Sequence, residues 1–450
     1  MQSEIKFIDG GVTAANGFTA NGILCHIKES RKTNDVALIY SEKACNAAGV
    51  FTQNRVKAES VKLTKKNIAN GVLQAVIANS GNANCCTGEQ GQKVAEKMAV
   101  LAGNALDVPA ENVAVCSTGV IGQQLPVEKI EAKIAELANG LSKKGNKEAR
   151  IAIMTTDTQY KECAVEFTIG GKVCRMGSMC KGSGMIHINL GTMLSFITTD
   201  VAISTKMIDK ALRESIKETY NCVSVDGDTS TNDTLILLAN GMAENAEISE
   251  ENDDYKTFLA ALNKMNRIMA MKIAADGEGA TRLIECNVKG AKDAETARGL
   301  AKEVISSSLV KAAMFGRDAN WGRILCAMGY SGLDFTPEKT CVYFSSKRGA
   351  KRYFDAASLD KANECSSGVC TCGCCDIGGD DDESFDSIEN TIEVFHNGVP
   401  LNFDEEKAKS ILSEEAVEIL VTLEDGKAEG TAWGCDLTYD YVKINGDYRT

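Results

Sequence analysis

A chain of 450 residues suits two domains or one large layered domain, and its 44% hydrophobic and 25% charged residues are those of an ordinary soluble globular protein. A net charge of −13 without a long basic run excludes a phosphate-neutralising surface, so no nucleic-acid partner is expected. No apolar run approaches the roughly 20 residues of a spanning helix, and the start MQSEIKFIDGG holds no secretory segment; no membrane partner and a cytoplasmic location are therefore expected.

In chain order, VLQAVIAN (72–79) and VAVCS (113–117) read as buried strands ending in glycine-rich turns. PVEKIEAKIAELANG carries Val127, Ile130, Ile134 and Leu137 at helical spacing between Pro126 and a stop at Gly140, which predicts one helix. CAVEFTIGGKVCRMG predicts a hairpin about Gly170-Gly171, and Asn397-Gly398 marks another. Helical patterns recur at MIDKALRESIKETY (207–220) and EEKAKSILSEEAVEIL (405–420). The fold class is α/β of the α+β type, with helices packed on mixed, largely antiparallel sheets. Residues 359–386 interrupt this rhythm and read as an insertion.

The 18 cysteines, in a chain of this size, point to reduced thiols rather than a disulfide framework. Cys25, Cys116, Cys222 and Cys326 sit in apolar strings, where a thiol acts as a small hydrophobe. Cys365, Cys370, Cys372, Cys374 and Cys375 cluster in CSSGVCTCGCC, ahead of the acidic run DIGGDDDES. Such density could hold zinc, but the spacing matches no paired CxxC pattern, so a solvated insertion without metal is the favoured reading.

The chemistry emerges by elimination. Only His26, His187 and His396 could serve as an imidazole base; His26 lies in an apolar string and His396 beside a turn. No GxSxG elbow and no phosphate-binding P-loop occur. A hydroxyl or thiol nucleophile with a base other than histidine remains. Thr192 can fill that role by one route. If its hydroxyl attacks the Gly191 carbonyl and water cleaves the resulting ester, Thr192 becomes a new N-terminus. Its α-amine, with a pKa of about 7.7–8.0, can then serve as general base. From the bare residues alone, a threonine is more commonly a strand residue.

KGSGMIHINLGTMLSFITTD (181–200) resembles the self-cleavage motif of the ornithine acetyltransferase family, the bifunctional glutamate N-acetyltransferases of arginine biosynthesis. AGVFTQNRVKAESV, ANSGNANCCTGEQG, CSTGVIGQQLP, MTTDT, DGDTSTNDT, DGEGATRLIE, VKAAMFGRDANWGRI and the terminal DLTYDYVKINGDYRT resemble further family signatures in the expected order. Together they cover nearly the whole chain outside the cysteine-rich insertion. The resemblance departs at Gly191, where the family usually has alanine, and at Ile188, where it usually has proline. Both changes remove backbone restraint beside the scissile bond.

The resemblance implies a layered sandwich and division at Gly191-Thr192 into chains 1–191 and 192–450, two of each forming a heterotetramer. It implies Thr192 as the nucleophile that carries the acetyl group, with Thr118 and Gly119 as the oxyanion hole. Thr155, Lys181, Thr192, Glu278, Asn445 and Thr450 become substrate contacts, Lys181 toward a carboxylate and Glu278 toward the ammonium of ornithine. The implied reaction moves the acetyl group of N-acetylornithine to glutamate without a cofactor, with acetyl-CoA possible as a second donor. Two other readings stand beside it: a self-processing amidohydrolase or aminopeptidase with the same nucleophile, and a non-catalytic cysteine-rich metal or redox sensor.

Overall fold

The computed structural model describes residues 4–187, 193–346 and 390–447. Its strands run, in chain order, β1 (Lys6–Ile8), β2 (Phe18–Ile23), β3 (Val36–Phe51), β4 (Val72–Asn79), β5 (Val113–Ser117), β6 (Lys161–Ile169), β7 (Lys172–Lys181), β8 (Ile186–His187), β9 (Leu194–Thr199), β10 (Ser224–Thr229) and β11 (Thr234–Ala239). The remainder are β12 (Leu283–Ala291), β13 (Cys341–Ser345), β14 (Thr391–His396), β15 (Val399–Pro400), β16 (Ala416–Thr422) and β17 (Ala428–Cys435). A nine-stranded sheet has the order β1-β6-β7-β9-β11-β3-β4-β5 with β2 added to β3, a six-stranded sheet the order β15-β14-β13-β16-β12-β17, and β8 pairs β10. Within the large sheet only β9–β11 and β4–β5 run parallel, and in the smaller one only β12–β16. The expected mixed, largely antiparallel architecture is what forms.

The sequence of β11 explains why helices cover both faces of the large sheet. In TLILLA the side chains alternate across the pleat. Leu235 and Leu237 enter one core, while Ile236 and Leu238 enter another, on the opposite face. A strand buried on both sides has to be apolar throughout. One face is covered by the helix Asp253–Ala275, whose first turn is capped by the Asn252 side chain accepting from Tyr255 N. Phe258, Leu262, Met265 and Met269 of that helix join Val165 and Phe167 of the large sheet and Ile284, Val288 and Trp433 of the small sheet in one core. Each such buried side chain contributes about 1.5–3 kcal/mol. The other face meets the helix Asn146–Ile153 through Ala149, Ala152 and Ile153. No helix among the described residues is long and apolar enough to cross a membrane.

VLQAVIAN and VAVCS form β4 and β5 with the expected boundaries. Gly170 and Gly171, at φ 55° and 79°, and Asn397 and Gly398, at 46° and 79°, make both expected hairpin turns with two left-handed residues each.

Three expectations change. The single helix over 126–140 is two, Val127–Glu131 and Ile134–Asn139, broken where Lys133 leaves helical geometry and donates from Nζ to the Leu24 carbonyl at 2.9 Å. The helical pattern of 405–420 is helical only over Glu405–Ile411; Ala416–Thr422 is strand β16, held between β12 and β13. Pairing on both edges overrides the helical spacing there, and β-branched Val417, Ile419 and Val421 suit the pleat. Cys326, expected to be a small buried hydrophobe, is exposed on the helix Trp321–Tyr330, whereas Cys25, Cys116 and Cys222 are buried as expected. Burial pushes the Cys25 thiol up to about 12. Cys365, Cys370, Cys372, Cys374 and Cys375, with the expected insertion, lie outside the described residues.

Candidate active site

Thr118 and Gly119 follow β5 at the carboxyl ends of the parallel pair β4–β5. Thr118 N donates to Asn79 O at 3.0 Å, which fixes the turn. Gly119 has φ +133°, and a Cβ there would stand 2.3 Å from the Gly81 carbonyl carbon and 2.5 Å from Asn82 N. Two backbones approach too closely for any side chain, which is why glycine occupies the position. Asn232 braces the same turn by donating from Nδ2 to Ala83 O (2.6 Å) and Ser117 O (2.8 Å). Among the described residues, neither the Thr118 hydroxyl nor the Gly119 N–H donates to a partner.

Thr118, Gly119, Thr155, Lys181, Glu278 and Asn445 line one cavity of about 310 Å³. They come from the β5 turn, the loop after Asn146–Ile153, the end of β7, the loop after Asp253–Ala275, and the helix Tyr439–Gly446. Two larger clefts, of about 610 and 740 Å³, contain none of the six, so chemistry rather than size distinguishes this cavity. Glu278 is buried and held from both sides: Oε1 accepts from Thr156 Oγ1 at 2.7 Å and Oε2 from Asn445 Nδ2 at 2.8 Å. A Cβ on Gly184 would meet Glu278 Oε2 at 2.2 Å, so the glycine makes room for the carboxylate. Lys181 is 8% exposed, and its ammonium makes no hydrogen bond or ion pair among the described residues. A buried ammonium without a partner is costly, so its exposure to the cavity presents a charge for an anion to neutralise.

Gly191, Thr192 and Thr450 lie outside the described residues. Met193, the next described residue, is buried beside Thr118, Lys181 and Asp233 around a recess of about 20 Å³ adjoining that cavity.

A sequence profile of the ArgJ family matches residues 19–365 and 367–450. The chain belongs to the ArgJ family. It is 45% identical over 446 residues to the arginine biosynthesis bifunctional protein ArgJ of Caldanaerobacter subterraneus, covering 99% of this chain and 100% of that one. It is 46% identical over 439 residues to ArgJ 1 of Clostridium acetobutylicum, covering 98% and 97%. Among solved structures it is similar to Bacillus halodurans ArgJ (36% identity, 56% of this chain and 97% of that chain, TM-score 0.44). It is also similar to the Mycobacterium tuberculosis ornithine acetyltransferase complexed with ornithine (38%, 41% and 98%, TM-score 0.38). The chain is an enzyme, an acyltransferase of arginine biosynthesis, which sets aside the reading as a non-catalytic sensor.

Next to the residues of the cavity this ArgJ family member carries a network whose carboxylates its motifs contain but whose contacts they do not reveal. Lys161, with a fully buried side chain, donates to Asp157 Oδ1 at 2.7 Å and Asp276 Oδ2 at 2.5 Å. Asp157 also accepts from Gly182 N (2.8 Å) and Thr155 N (3.0 Å), and Asp276 from Thr158 N, Thr158 Oγ1 and Gln159 N. The triad thus ties the Thr155 loop, the Lys181–Gly182 bend and the Glu278 loop to one point. Burial opposes the Asp157 carboxylate, yet the Lys161 and Lys181 ammoniums hold it well below the usual carboxylate range.

Asp233 differs: burial pushes its carboxyl well above that range, against the opposing pull of Ser230 and Lys181, and its Oδ2 accepts no hydrogen bond among the described residues. Asp226 accepts from Met185 N (2.6 Å) and Ile186 N (2.8 Å), securing the strand before residue 188. The motifs MTTDT, DGEG and DGDTSTNDT contained these acids, but nothing in their spacing distinguishes a supporting carboxylate from a substrate contact.

Proposed function

We propose that the chain transfers the acetyl group of N2-acetyl-L-ornithine to L-glutamate through an acetyl-Thr192 ester, in a ping-pong cycle. The observation that carries this reading is the pairing, in one 310 Å³ cavity, of a buried Lys181 ammonium with a buried Glu278 carboxylate, beside the Thr118 hydroxyl and Gly119 N–H, with Lys181 and both donors unpartnered among the described residues. Small amino acids carry both charges, and the cavity is at the lower end of the usual size for small-molecule sites. The solved relative from Mycobacterium tuberculosis is an ornithine acetyltransferase complexed with ornithine, which supports the same substrate class.

Self-processing precedes the cycle. The Thr192 hydroxyl attacks the Gly191 carbonyl, the peptide nitrogen leaves as the Thr192 amine, and water hydrolyses the ester to free the Gly191 carboxylate. The new amine then takes the hydroxyl proton as Thr192 Oγ1 attacks the acetyl carbonyl of acetylornithine. Thr118 and Gly119 stabilise the tetrahedral oxyanion; one such donor is worth about 2.7–4 kcal/mol. The amine returns the proton to the departing nitrogen of ornithine, and glutamate reverses the sequence to leave as N-acetylglutamate. Lys181 pairs the substrate carboxylate and Glu278 the side-chain ammonium of ornithine, while Thr155, Asn445 and Thr450 complete the contacts. The cycle needs no cofactor. The relatives' description as bifunctional fits acetyl-CoA as a second donor. The two fragments stay associated as a heterotetramer of two each, in the cytoplasm.

Intact mass of the purified protein beside Thr192→Ala tests this reading. Two fragments divided at Gly191-Thr192, with acetyl exchange, are expected for the natural chain, and one uncut inactive chain for the variant. An uncut natural chain that still exchanges acetyl groups overturns the N-terminal amine mechanism.

A further inference from the structure

At the edge of the six-stranded sheet, β13 and β14 pair antiparallel with Val342 opposite Phe395, but Tyr343 lies opposite Glu393. One extra residue therefore stands on β14 between these pairs. In a regular strand, residues three apart point to opposite faces. The bulge reverses that for Glu393 and His396, as bulges do when they re-aim a side chain. Both then converge on Cys341, the first residue of β13. The Cys341 sulfur lies 3.6 Å from His396 Nδ1, which lies 2.7 Å from Glu393 Oε1, and the three ligand atoms fall within 4.8 Å of one another.

The group has an outer layer. Asn397, held at φ 46° by the following turn, places its amide oxygen 3.5 Å from the Cys341 sulfur and its nitrogen 3.2 Å from His396 Nε2. The Tyr343 hydroxyl is pushed above its usual range by burial and by the Glu393 carboxylate beside it. No other three His, Cys, Asp or Glu among the described residues bring their ligand atoms this close. Cys341 is buried, Glu393 half-buried and His396 exposed, which leaves an approach from solvent.

We propose that Cys341, Glu393 and His396 bind a divalent transition ion of the zinc class, with solvent in the fourth position. A thiolate, an imidazole and a carboxylate are the donors zinc takes; tetrahedral bonds of about 2.0–2.3 Å set ligand atoms about 3–4 Å apart, so the 3.6 Å sulfur–nitrogen spacing already fits and the 2.7 Å nitrogen–oxygen spacing widens by a small rotation of the half-buried Glu393. Binding releases the Cys341 thiol proton to solvent and uses the neutral imidazole, so affinity rises with pH. The site is distinct from the substrate cavity, none of whose lining residues it shares. Its residues stand at the ends of β13 and β14 opposite Ser345 and Thr391, between which the described residues are interrupted.

The test is a cobalt(II) titration of the full chain with Cys365, Cys370, Cys372, Cys374 and Cys375 replaced by serine, followed by zinc competition. One equivalent of cobalt is expected, with a thiolate-to-cobalt charge-transfer band that zinc abolishes. Cys341→Ser in that background removes the band. His396→Ala and Glu393→Gln weaken binding by roughly 100-fold or more, beyond the 10–100-fold of an outer-layer loss. Absence of stoichiometric cobalt, or a band that survives both Cys341→Ser and His396→Ala, overturns the site. Should Cys341→Ser fail to fold by circular dichroism, the two variants at accessible positions decide the matter, and acetyl exchange remains unchanged in both.

Discussion

Lys161 and Lys181 stand at the same end of one hairpin, Lys161 opening β6 opposite Cys180 and Lys181 closing β7. Both are buried lysines, yet their surroundings are opposite. Lys161 is enclosed by two carboxylates, whereas the Lys181 ammonium makes no hydrogen bond or ion pair among the described residues and faces the cavity, with the charges of Asp157 and Asp233 farther off. Folding settled the charge of the first within the protein and turned that of the second toward the cavity. Burial alone therefore does not distinguish the two; the contacts of the ammonium do.

The largest effect expected from breaking this contrast is at Lys161. Lys161→Met leaves Asp157 and Asp276 buried without their cation, which costs about 3–5 kcal/mol, read as a lower urea midpoint. Gly119→Ala comes next, since the Thr118 hydroxyl and Gly119 N–H share with the Lys181 ammonium the lack of a partner among the described residues. A Cβ 2.3 Å from Gly81 displaces the turn, and kcat for acetyl exchange is expected to fall by about 10²–10³-fold, the loss of one oxyanion donor. Lys181→Met should leave the unfolding free energy from urea melts within about 1 kcal/mol while raising KM for acetylornithine roughly ten- to 150-fold, the equivalent of ~1.5–3 kcal/mol for a hydrogen bond to a charged group. Equal destabilisation by the Lys161 and Lys181 variants would erase the distinction.

The smallest effect is at His187, which is half-buried, stands with Nδ1 3.0 Å from Ser224 Oγ, and is lowered to about 4 by burial and by Lys302. Its folded form resists protonation that the unfolded chain accepts near pH 6.5, so the unfolded state binds more protons between about 6.5 and about 4. Stability falls as pH drops through that window, and His187→Asn is expected to flatten the fall in urea melts recorded from pH 7 to 4. Below it, Asp157 acts in the same direction: its depressed carboxyl contributes stability above its unfolded value of about 3.9, lost as pH falls further.

By itself the sequence determined the features that depend on neighbours along the chain. Alternation and β-branching set β4 and β5, and paired left-handed residues set the turns at Gly170-Gly171 and Asn397-Gly398. Ordered motifs carried the family, and with it six residues that meet at one cavity. Helical spacing was too weak a guide for 132–133, where Lys133 finds the Leu24 carbonyl, and for 416–422, where two neighbouring strands claim the backbone. Tertiary structure alone decided which charges are spent and which are free. Asp157 reaches Lys161 locally, but Asp276 arrives from 115 residues away and Asn445 meets Glu278 across 167. It also turned Glu393 and His396 toward Cys341 through one extra residue in a strand. Periodicity constrains what lies a few residues apart, whereas a charge is paired by whatever the packed fold brings within hydrogen-bonding distance.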